Sequence, residues 1–530
     1  MKIIWAALAV TFAAAAVGAV PPPAWLNAKA ALPMATPSTA STPKQASPAH
    51  EQLRRQGPWM VDREGRVVIL HGVNAVWKQA PYWPPDSVDG FTAADADWLA
   101  EHGFNAVRLG VLFAGVMPQR GVIDHGYLDR MDRVVKLLAS RQIYVMIDFH
   151  QDLFGESYAG EGFPAWAHPA RTDGLLRAGF PLGYVTPRVS RAFDGFWNDP
   201  EGLQAAYADA WVAVAARWRN ADYLMGYDLI NEPWSGGHWP ACARPGGCAG
   251  FEQDKLQTFY ERVLADIRAV DRDNIVWIEP QVLFEFGADS HLGKRPIDDT
   301  QLGLSWHNYC IAAPLVKAAG GGESKTCTAL SRRVYRNADA VARRLGSASV
   351  LSEFGASDDA PDIARVAARA DEHRVGWMYW SYKDWGDPTT QGQGTGAQSM
   401  FLRDADLASV KLAKLKALER PFPQAIAGVP LAYGFDADSR RFTLRYTTTL
   451  ASGQKAPRNA VTLVHVPAVH YPQGYAVRVS GGRVISAGNA RQLQIVADAG
   501  AGEVTISVQP APLMDAQLER RALPPASPAG

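Results

Sequence analysis

The sequence carries no net charge, since 53 basic residues balance 53 acidic ones across 530 positions and no Lys/Arg block breaks the balance. A nucleic-acid-binding surface needs a basic excess, so that class finds no support. Cysteine is scarce, at four residues. No Cys-x-x-Cys pair or His cluster accompanies them, which argues against a zinc site and leaves disulfides, for which three pairings exist. Cys242 with Cys248, flanking Ala-Arg-Pro-Gly-Gly, and Cys310 with Cys327, flanking a Gly-rich segment, are the simplest pairs, each closing a local loop. The Gly-rich phosphate loop that follows the first strand of a dinucleotide-binding sheet is missing as well.

What is present is apolar and aromatic. Hydrophobic residues make up 47% of the chain, enough for one large core and a second, smaller one. Residues 1–20 hold one early cation, Lys2, and an Ala/Val-rich run closing on Val17-Gly18-Ala19. They read as a secretory signal, with a retained anchor as the alternative. Residues 21–50 are mostly Pro, Ala, Ser and Thr and bury too little to order, so a flexible linker is expected. The mature protein is therefore expected outside the cytoplasm, extracellular or periplasmic, where disulfides persist.

Beyond the linker, Trp59–Asp62 and Val67–Leu70 flank Arg63-Glu64-Gly65-Arg66 as a hairpin would. The second of these strands runs on into His71–Asn74 as the first strand of the main domain. Strands and amphipathic helices then alternate. Strands are expected at 104–109, 143–149, 227–230, 275–278, 302–306, 349–351 and 377–380. Helices are expected at 92–102, 127–141, 201–218, 254–270, 334–345 and 363–373, with a closing helix at 407–418. Eight strands with helices between them predict a parallel (β/α)8 barrel over residues 51–420, with an open doubly wound sheet as the alternative. From 421 to 512 the pattern becomes short, mostly alternating strands with turns and no helix, which predicts an antiparallel β-sandwich. Residues 513–530, rich in Ala and Pro, are expected to be a disordered tail.

Polar residues that follow barrel strands are candidates for chemistry. They are His71, Asn74, Lys78, Arg108, His150, Asp152, Asn231, Glu232, His307, Tyr309, Glu353 and Trp380. Any one of them alone serves as a structural hydrogen-bonder. Two glutamates on different strands, facing a rim of aromatic and amide groups, suit glycoside hydrolysis, with one as nucleophile and one as acid/base. A barrel that had lost its activity and only bound glycan or lipid would lack one of the glutamates, and neither is missing.

Leu229-Ile230-Asn231-Glu232-Pro233 together with Ser352-Glu353-Phe354-Gly355 resembles glycoside hydrolase family 5, over roughly residues 57 to 415. The resemblance implies Glu232 as acid/base and Glu353 as nucleophile, with no metal or cofactor. It also implies that Arg108, His307, Tyr309 and Trp380 are the family's site residues. Gly72–Lys78, Asp148–Asp152, His307–Cys310 and Trp380–Lys383 with Gly386–Thr389 are similar to the endoglycoceramidase-like branch. That branch splits the β-glycosidic bond between an oligosaccharide and ceramide. The same likeness implies that Lys78, His150, Asp152, Asn231 and Tyr309 hold the sugar. Relatives acting on simple glucosyl or galactosyl lipids, and an endo-β-glucanase on soluble polysaccharide, are the rival readings. A monomer meeting a glycolipid at a membrane or micelle surface is the expected partner arrangement. Between Leu153 and Trp197, Phe154, Tyr158, Phe163, Trp166, Phe180, Tyr184, Phe193, Phe196 and Trp197 crowd a stretch read as a long loop. Its rings either line a lipid groove or form the loop's own core.

Overall fold

The computed structural model describes residues 50–168, 176, 178–310, 325–389 and 396–511. The expected signal, all of the expected linker but His50, and the expected tail lie outside them. Nineteen strands fall into three sheets. Eight of them are β4 (His71–Ala75), β5 (Ala106–Val111), β6 (Tyr144–Phe149), β7 (Leu224–Asp228), β8 (Val276–Ile278), β9 (Leu302–Asn308), β10 (Ala348–Gly355) and β11 (Gly376–Trp380). Each pairs in parallel with the next, and β11 returns to β4, closing the barrel. These strands are buried almost throughout, as strands covered on both faces must be, which is why they read as continuous apolar runs. One end of the barrel is plugged by Leu53, Met60, Met146, Met225, Trp277 and Met378. The polar side chains collect at the other end, beyond the strand C-termini.

The helices match their sequence signals closely. Ala93–Glu101 starts at a capping box in which Thr92 and Asp95 satisfy each other's backbone, and Leu203–Trp218 and Ala360–His373 fall where expected. The closing helix is shorter than expected: a 3-10 turn, Leu407–Ser409, precedes a helix over Leu412–Leu418.

Two expectations are corrected. The stretch read as loop between β6 and β7 contains the helix Pro187–Asn198, capped by the Thr186 hydroxyl, which accepts from Val189 N. Its rings do not line a groove. Phe154, Tyr158, Phe163, Phe193, Phe196 and Trp197 are all buried, Phe154 stacks on Phe163 at 4.1 Å, and Phe163 stacks on Tyr207 of the next helix at 5.6 Å. Trp166 is half-buried and donates to Met117 O. Aromatic surface is worth about 25 cal/mol per Å2 when buried, and these rings bury it against each other and the barrel. The solvent-facing apolar residues described on this stretch are Leu176, Leu182 and Val185.

The second correction concerns the N-terminal hairpin. β1 (Arg54–Gln56), β2 (Trp59–Val61) and β3 (Val67–Val68) belong to the C-terminal sheet, not the barrel. β3 pairs with β12 (Phe422–Ile426), and the sheet continues through β15 (Val461–His465), β18 (Gln492–Ala497) and β17 (Gly482–Val484). A second sheet holds β13 (Val429–Asp436), β14 (Arg441–Thr447), β19 (Glu503–Pro510) and β16 (Tyr475–Ser480). Val61, Val67 and Ile69 pack with Phe422, Leu444, Ile495 and Ile506 in the core of these strands. Where the chain crosses into the barrel, His71 lies between Trp377 and Phe422, with ring centres 4.2 and 3.7 Å away. Arg420 donates to Asp371 at 2.6 Å beside it.

Candidate active site

The site is assembled by residues that stop the strands. β7 was read as Tyr227–Ile230, but its ladder ends at Asp228. Leu229 and Asn231 still donate to Trp277 O and Phe149 O, so the chain follows its neighbours to Glu232. Gly226 is required on this strand because a Cβ there would stand 2.0 Å from Ile275 O. Glu232 itself has φ 44°, a left-handed conformation that costs a non-glycine residue free energy. Its N–H donates to Glu279 Oε2 at 2.9 Å, which helps hold the turn.

Arg108 is the centre of the floor and is fully buried. Its guanidinium donates to Asp228 at 3.0 Å, Asp148 at 2.9 Å, Glu279 at 3.0 Å and Glu353 Oε1 at 2.5 Å. It also donates to Asn74 at 3.3 Å and Asn231 at 3.0 Å. Only a planar fork with five N–H donors can serve so many acceptors at once. Burial disfavours its charge, yet Asp148, Asp228 and Glu353 outweigh that and hold it firmly protonated. Arg108 was expected to belong to the substrate site. It lies fully buried beneath that site, bonded to Glu353.

Above this floor His307 joins the two glutamates. Its Nδ1 lies 2.8 Å from Glu232 Oε1 and 3.6 Å from Glu353 Oε2, so laying the two distances end to end, those oxygens are at most 6.4 Å apart. Its Nε2 lies 3.4 Å from Glu279. Burial opposes the imidazolium, but Glu279 and Glu353 prevail and raise its pKa well above the usual range. Tyr309 donates to Glu353 Oε2 at 2.9 Å. Burial pushes the Glu353 carboxyl up, while His307 and Arg108 pull it back down.

A second cation, Lys78, stands nearer the mouth. Its Nζ lies 2.6 Å from Asp152, 3.2 Å from Asp387, 3.4 Å from Glu161 and 2.8 Å from Thr389 Oγ1. It sits 4.6 Å from the centre of the Trp380 ring, on which His150 stacks at 5.1 Å. Burial disfavours the ammonium, but Asp152, Asp387 and Glu161 raise its pKa well above the usual range. His150 links the two cation centres, with Nδ1 2.8 Å from Asp148 and Nε2 3.7 Å from Asp152. Burial opposes its charge too, yet Asp148 raises its pKa to about 10. Asp152 also accepts from the Tyr184 hydroxyl at 3.1 Å, which ties the aromatic segment to the site.

The structure thus brings Lys78, Arg108, His150, Asp152, Asn231, Glu232, His307, Tyr309, Glu353 and Trp380 to one end of the barrel. His71 does not join them; it lies in the seam with the C-terminal sheets. Glu279, Glu285, Asp228 and Glu161 carry no expectation from the sequence, while Asp387 and Thr389 enter it only as part of the Gly386–Thr389 motif. Ile278-Glu279-Pro280 repeats the pattern of Ile230-Asn231-Glu232-Pro233, so the signal for Glu279 was present. Among the described residues two groups have ligand atoms close enough for a metal ion, His150 with Asp152 and Glu161, and Glu232 with Glu285 and His307. In the first group Lys78 already supplies the positive charge. Both expected disulfides are formed, Cys242–Cys248 and Cys310–Cys327.

Comparison with known proteins agrees with this geometry. The family model described as cellulase (glycosyl hydrolase family 5) matches residues 61–386, and the glycoside hydrolase family 5 C-terminal domain matches 420–508. The chain is 36% identical over 464 residues to endoglycoceramidase I of Rhodococcus hoagii, covering 86% of this chain and 88% of that protein. Endo-glycoceramidase II from Rhodococcus sp. superposes as a lactosyl-enzyme intermediate with TM-score 0.68 at 31% identity, covering 86% of this chain and 100% of that one. Its ganglioside GM3 complex superposes with TM-score 0.69 at 30% identity, covering 86% and 99%. With a closed barrel, two glutamates facing one imidazole, and both family models matched in order, the chain belongs to glycoside hydrolase family 5.

Proposed function

We propose that this glycosidase splits the β-glycosidic bond between the oligosaccharide and the ceramide of glycosphingolipids with retention of configuration, Glu353 acting as nucleophile and Glu232 as acid/base. The observation that carries the reading is the pair of carboxylates on His307. Glu232 Oε1 at 2.8 Å and Glu353 Oε2 at 3.6 Å meet the same ring nitrogen, a closeness in keeping with the roughly 5–5.5 Å spacing of retaining enzymes rather than the wider one that admits a water. Glu353 attacks the anomeric carbon as the bond to the ceramide oxygen breaks, and Glu232 protonates that oxygen. Water then gives a proton to Glu232, adds to the anomeric carbon and frees Glu353. Arg108 and Tyr309 keep the Glu353 carboxylate aimed, and His307 and Arg108 offset part of the burial that opposes its charge. Lys78, His150, Asp152, Asn231 and Trp380 hold the sugar.

The lipid half of the reading draws on the relatives and on Leu176, Leu182 and Val185, which face solvent on the segment tied to Asp152 by Tyr184. Among the described residues no helix is long and apolar enough to cross a membrane. We place the protein outside the cytoplasm, as a monomer that meets its substrate at a membrane or micelle surface; the two disulfides favour an oxidising compartment. Release of intact glycan from a panel of glycosphingolipids, run beside carboxymethylcellulose, tests the substrate. Activity confined to the polysaccharide would overturn it.

A further inference from the structure

The acid step poses a problem that the glutamate pair alone does not solve. A general acid must hold its proton until the leaving oxygen needs it. Glu232 lies 2.8 Å from His307, whose ring is held as an imidazolium by Glu279 and Glu353 against the cost of burial. Glu232 thus has a fixed positive charge as its direct neighbour.

A third carboxyl stands at the same spot. Glu285 belongs to the 3-10 turn Val282–Phe286 that follows β8, and it is 5% exposed. Its Oε2 lies 3.9 Å from His307 Nδ1, and one carboxyl oxygen of Glu285, one of Glu232 and a ring nitrogen of His307 all lie within 4.8 Å of one another. That Oε2 is buried with no hydrogen-bond donor among the described residues. The titratable groups facing it are Glu232 beyond β7, His307 and Tyr309 at the end of β9, and Glu353 on β10. Two carboxylates in one water-poor site cannot both ionise cheaply, and two acceptor oxygens can bond only through a proton held between them.

We infer that Glu285 and Glu232 share one proton, which makes Glu285 the positioning residue that keeps Glu232 competent as an acid beside the His307 cation. Burial, and after it the charge of Glu232, pushes the Glu285 carboxyl well above its usual range, in keeping with that role. In the first half-reaction the shared proton moves to the leaving aglycone oxygen as the glycosidic C–O bond breaks, leaving the pair without it. In the second, water yields a proton to the pair as its oxygen bonds the anomeric carbon and the bond to Glu353 breaks. The proton count closes over one turnover. The inference rests on the acid/base role given to Glu232.

The test uses Glu285→Gln and Glu285→Asp in the full chain, with thermal unfolding as a check on folding. The reactions are hydrolyses of a series of aryl lactosides whose leaving groups differ in basicity. Assistance by an acid matters most for poor leaving groups. In Glu285→Gln the plot of log kcat/KM against leaving-group pKa should therefore steepen, with the poorest leaving group losing at least tenfold more than the best. The basic limb of the pH profile should move to lower pH, and Glu285→Asp, which restores a carboxyl, should recover part of both effects. Equal losses across the series with an unmoved pH limb would overturn the inference; if Glu285→Gln fails to fold, Glu285→Ala is read against the same two outcomes. Glu232→Gln run in parallel separates the two claims. A steep plot there, with a wild-type plot in the Glu285 variants, sinks only the shared proton. A wild-type plot in Glu232→Gln sinks the acid/base role itself.

Discussion

Two of the buried cations of this barrel, Arg108 and Lys78, look alike and are built differently. Arg108 sits on β5, and three of its four acids, Asp148, Asp228 and Glu353, also lie on strands, while Glu279 follows β8 directly. Lys78 and its partners Asp152, Glu161, Asp387 and Thr389 all lie in the connections beyond the strands. The first centre is as rigid as the sheet and aims a reacting carboxylate. The second cinches together the connections that follow β4, β6 and β11, next to Trp380. A family resemblance gives both residues the same label, and only the strand boundaries tell them apart.

The comparison breaks most visibly at the carboxylate that Arg108 serves. Glu353→Gln should lower kcat by roughly 10^4-fold or more with the fold intact, measured on an activated aryl glycoside beside circular dichroism. Azide should restore turnover to Glu353→Gly with inverted product and to Glu232→Ala with retained product. The opposite pattern would mean that the roles are exchanged.

Charge-conserving change at the first centre comes next. Arg108→Lys should cost roughly 10^2-fold or more in kcat on every substrate, because a compact ammonium cannot reach four acids and Glu353 drifts from its line of attack. Lys78→Met should instead act mainly through KM for glycan substrates, by about tenfold, with a smaller change in kcat. If Lys78→Met collapses kcat on a simple aryl glycoside as far as Arg108→Lys does, the distinction between the centres is wrong.

Acid offers a subtler probe, since both cations are held protonated and should be indifferent to moderate acid. The acid-sensitive groups lie in the seam between barrel and C-terminal sheets. Burial lowers the His465 pKa from 6.5 to about 3, so below pH 6.5 the unfolded chain binds the proton that the native state refuses. Stability from this group is present above pH 6.5 and drains away as pH falls toward 3. Between pH 6.5 and 5 the loss is about 2 kcal/mol, and His465→Gln should flatten that part of a denaturation-versus-pH curve. Asp371, raised by burial to about 6, works in the opposite direction, gaining stability as pH falls through 6. An unchanged slope in His465→Gln would place the acid sensitivity elsewhere.

The smallest effect is expected at the outer edge. Leu182→Ser with Val185→Ser should weaken hydrolysis of a ceramide-linked glycan several-fold, as loss of partly exposed apolar contact would. Turnover of a soluble aryl lactoside should hold. Equal change on both substrates would remove these residues from lipid contact.

Much of the site was legible because its signal is local. In Ile230-Asn231-Glu232-Pro233 and Ser352-Glu353 an apolar strand gives way abruptly to a charge, and a series of strands ending in polar residues defines a barrel rim. Glu279 carries the same signal at the end of β8 but lies outside the two glutamate motifs of the resemblance. Helix Pro187–Asn198 was also signalled, by Thr186 as cap, Pro187 at the first turn and Val189, Phe193 and Phe196 at helical spacing. The density of aromatic residues drew the reading toward a groove. The membership of β3 in the C-terminal sheet was not legible, because Val68 meets Ala425 across a separation that no local pattern encodes. Nor was Glu285, whose meaning depends on three other strands arriving beside it.

That pairing of Val68 with Ala425 fixes an order of events during synthesis. β1 to β3 emerge early, but the strand that pairs with β3 begins 354 residues away, from 68 to 422. At roughly 5–20 residues per second the early strands wait on the order of half a minute with one edge open while the barrel forms beside them. A strand made only after the barrel is then the one that closes over the first.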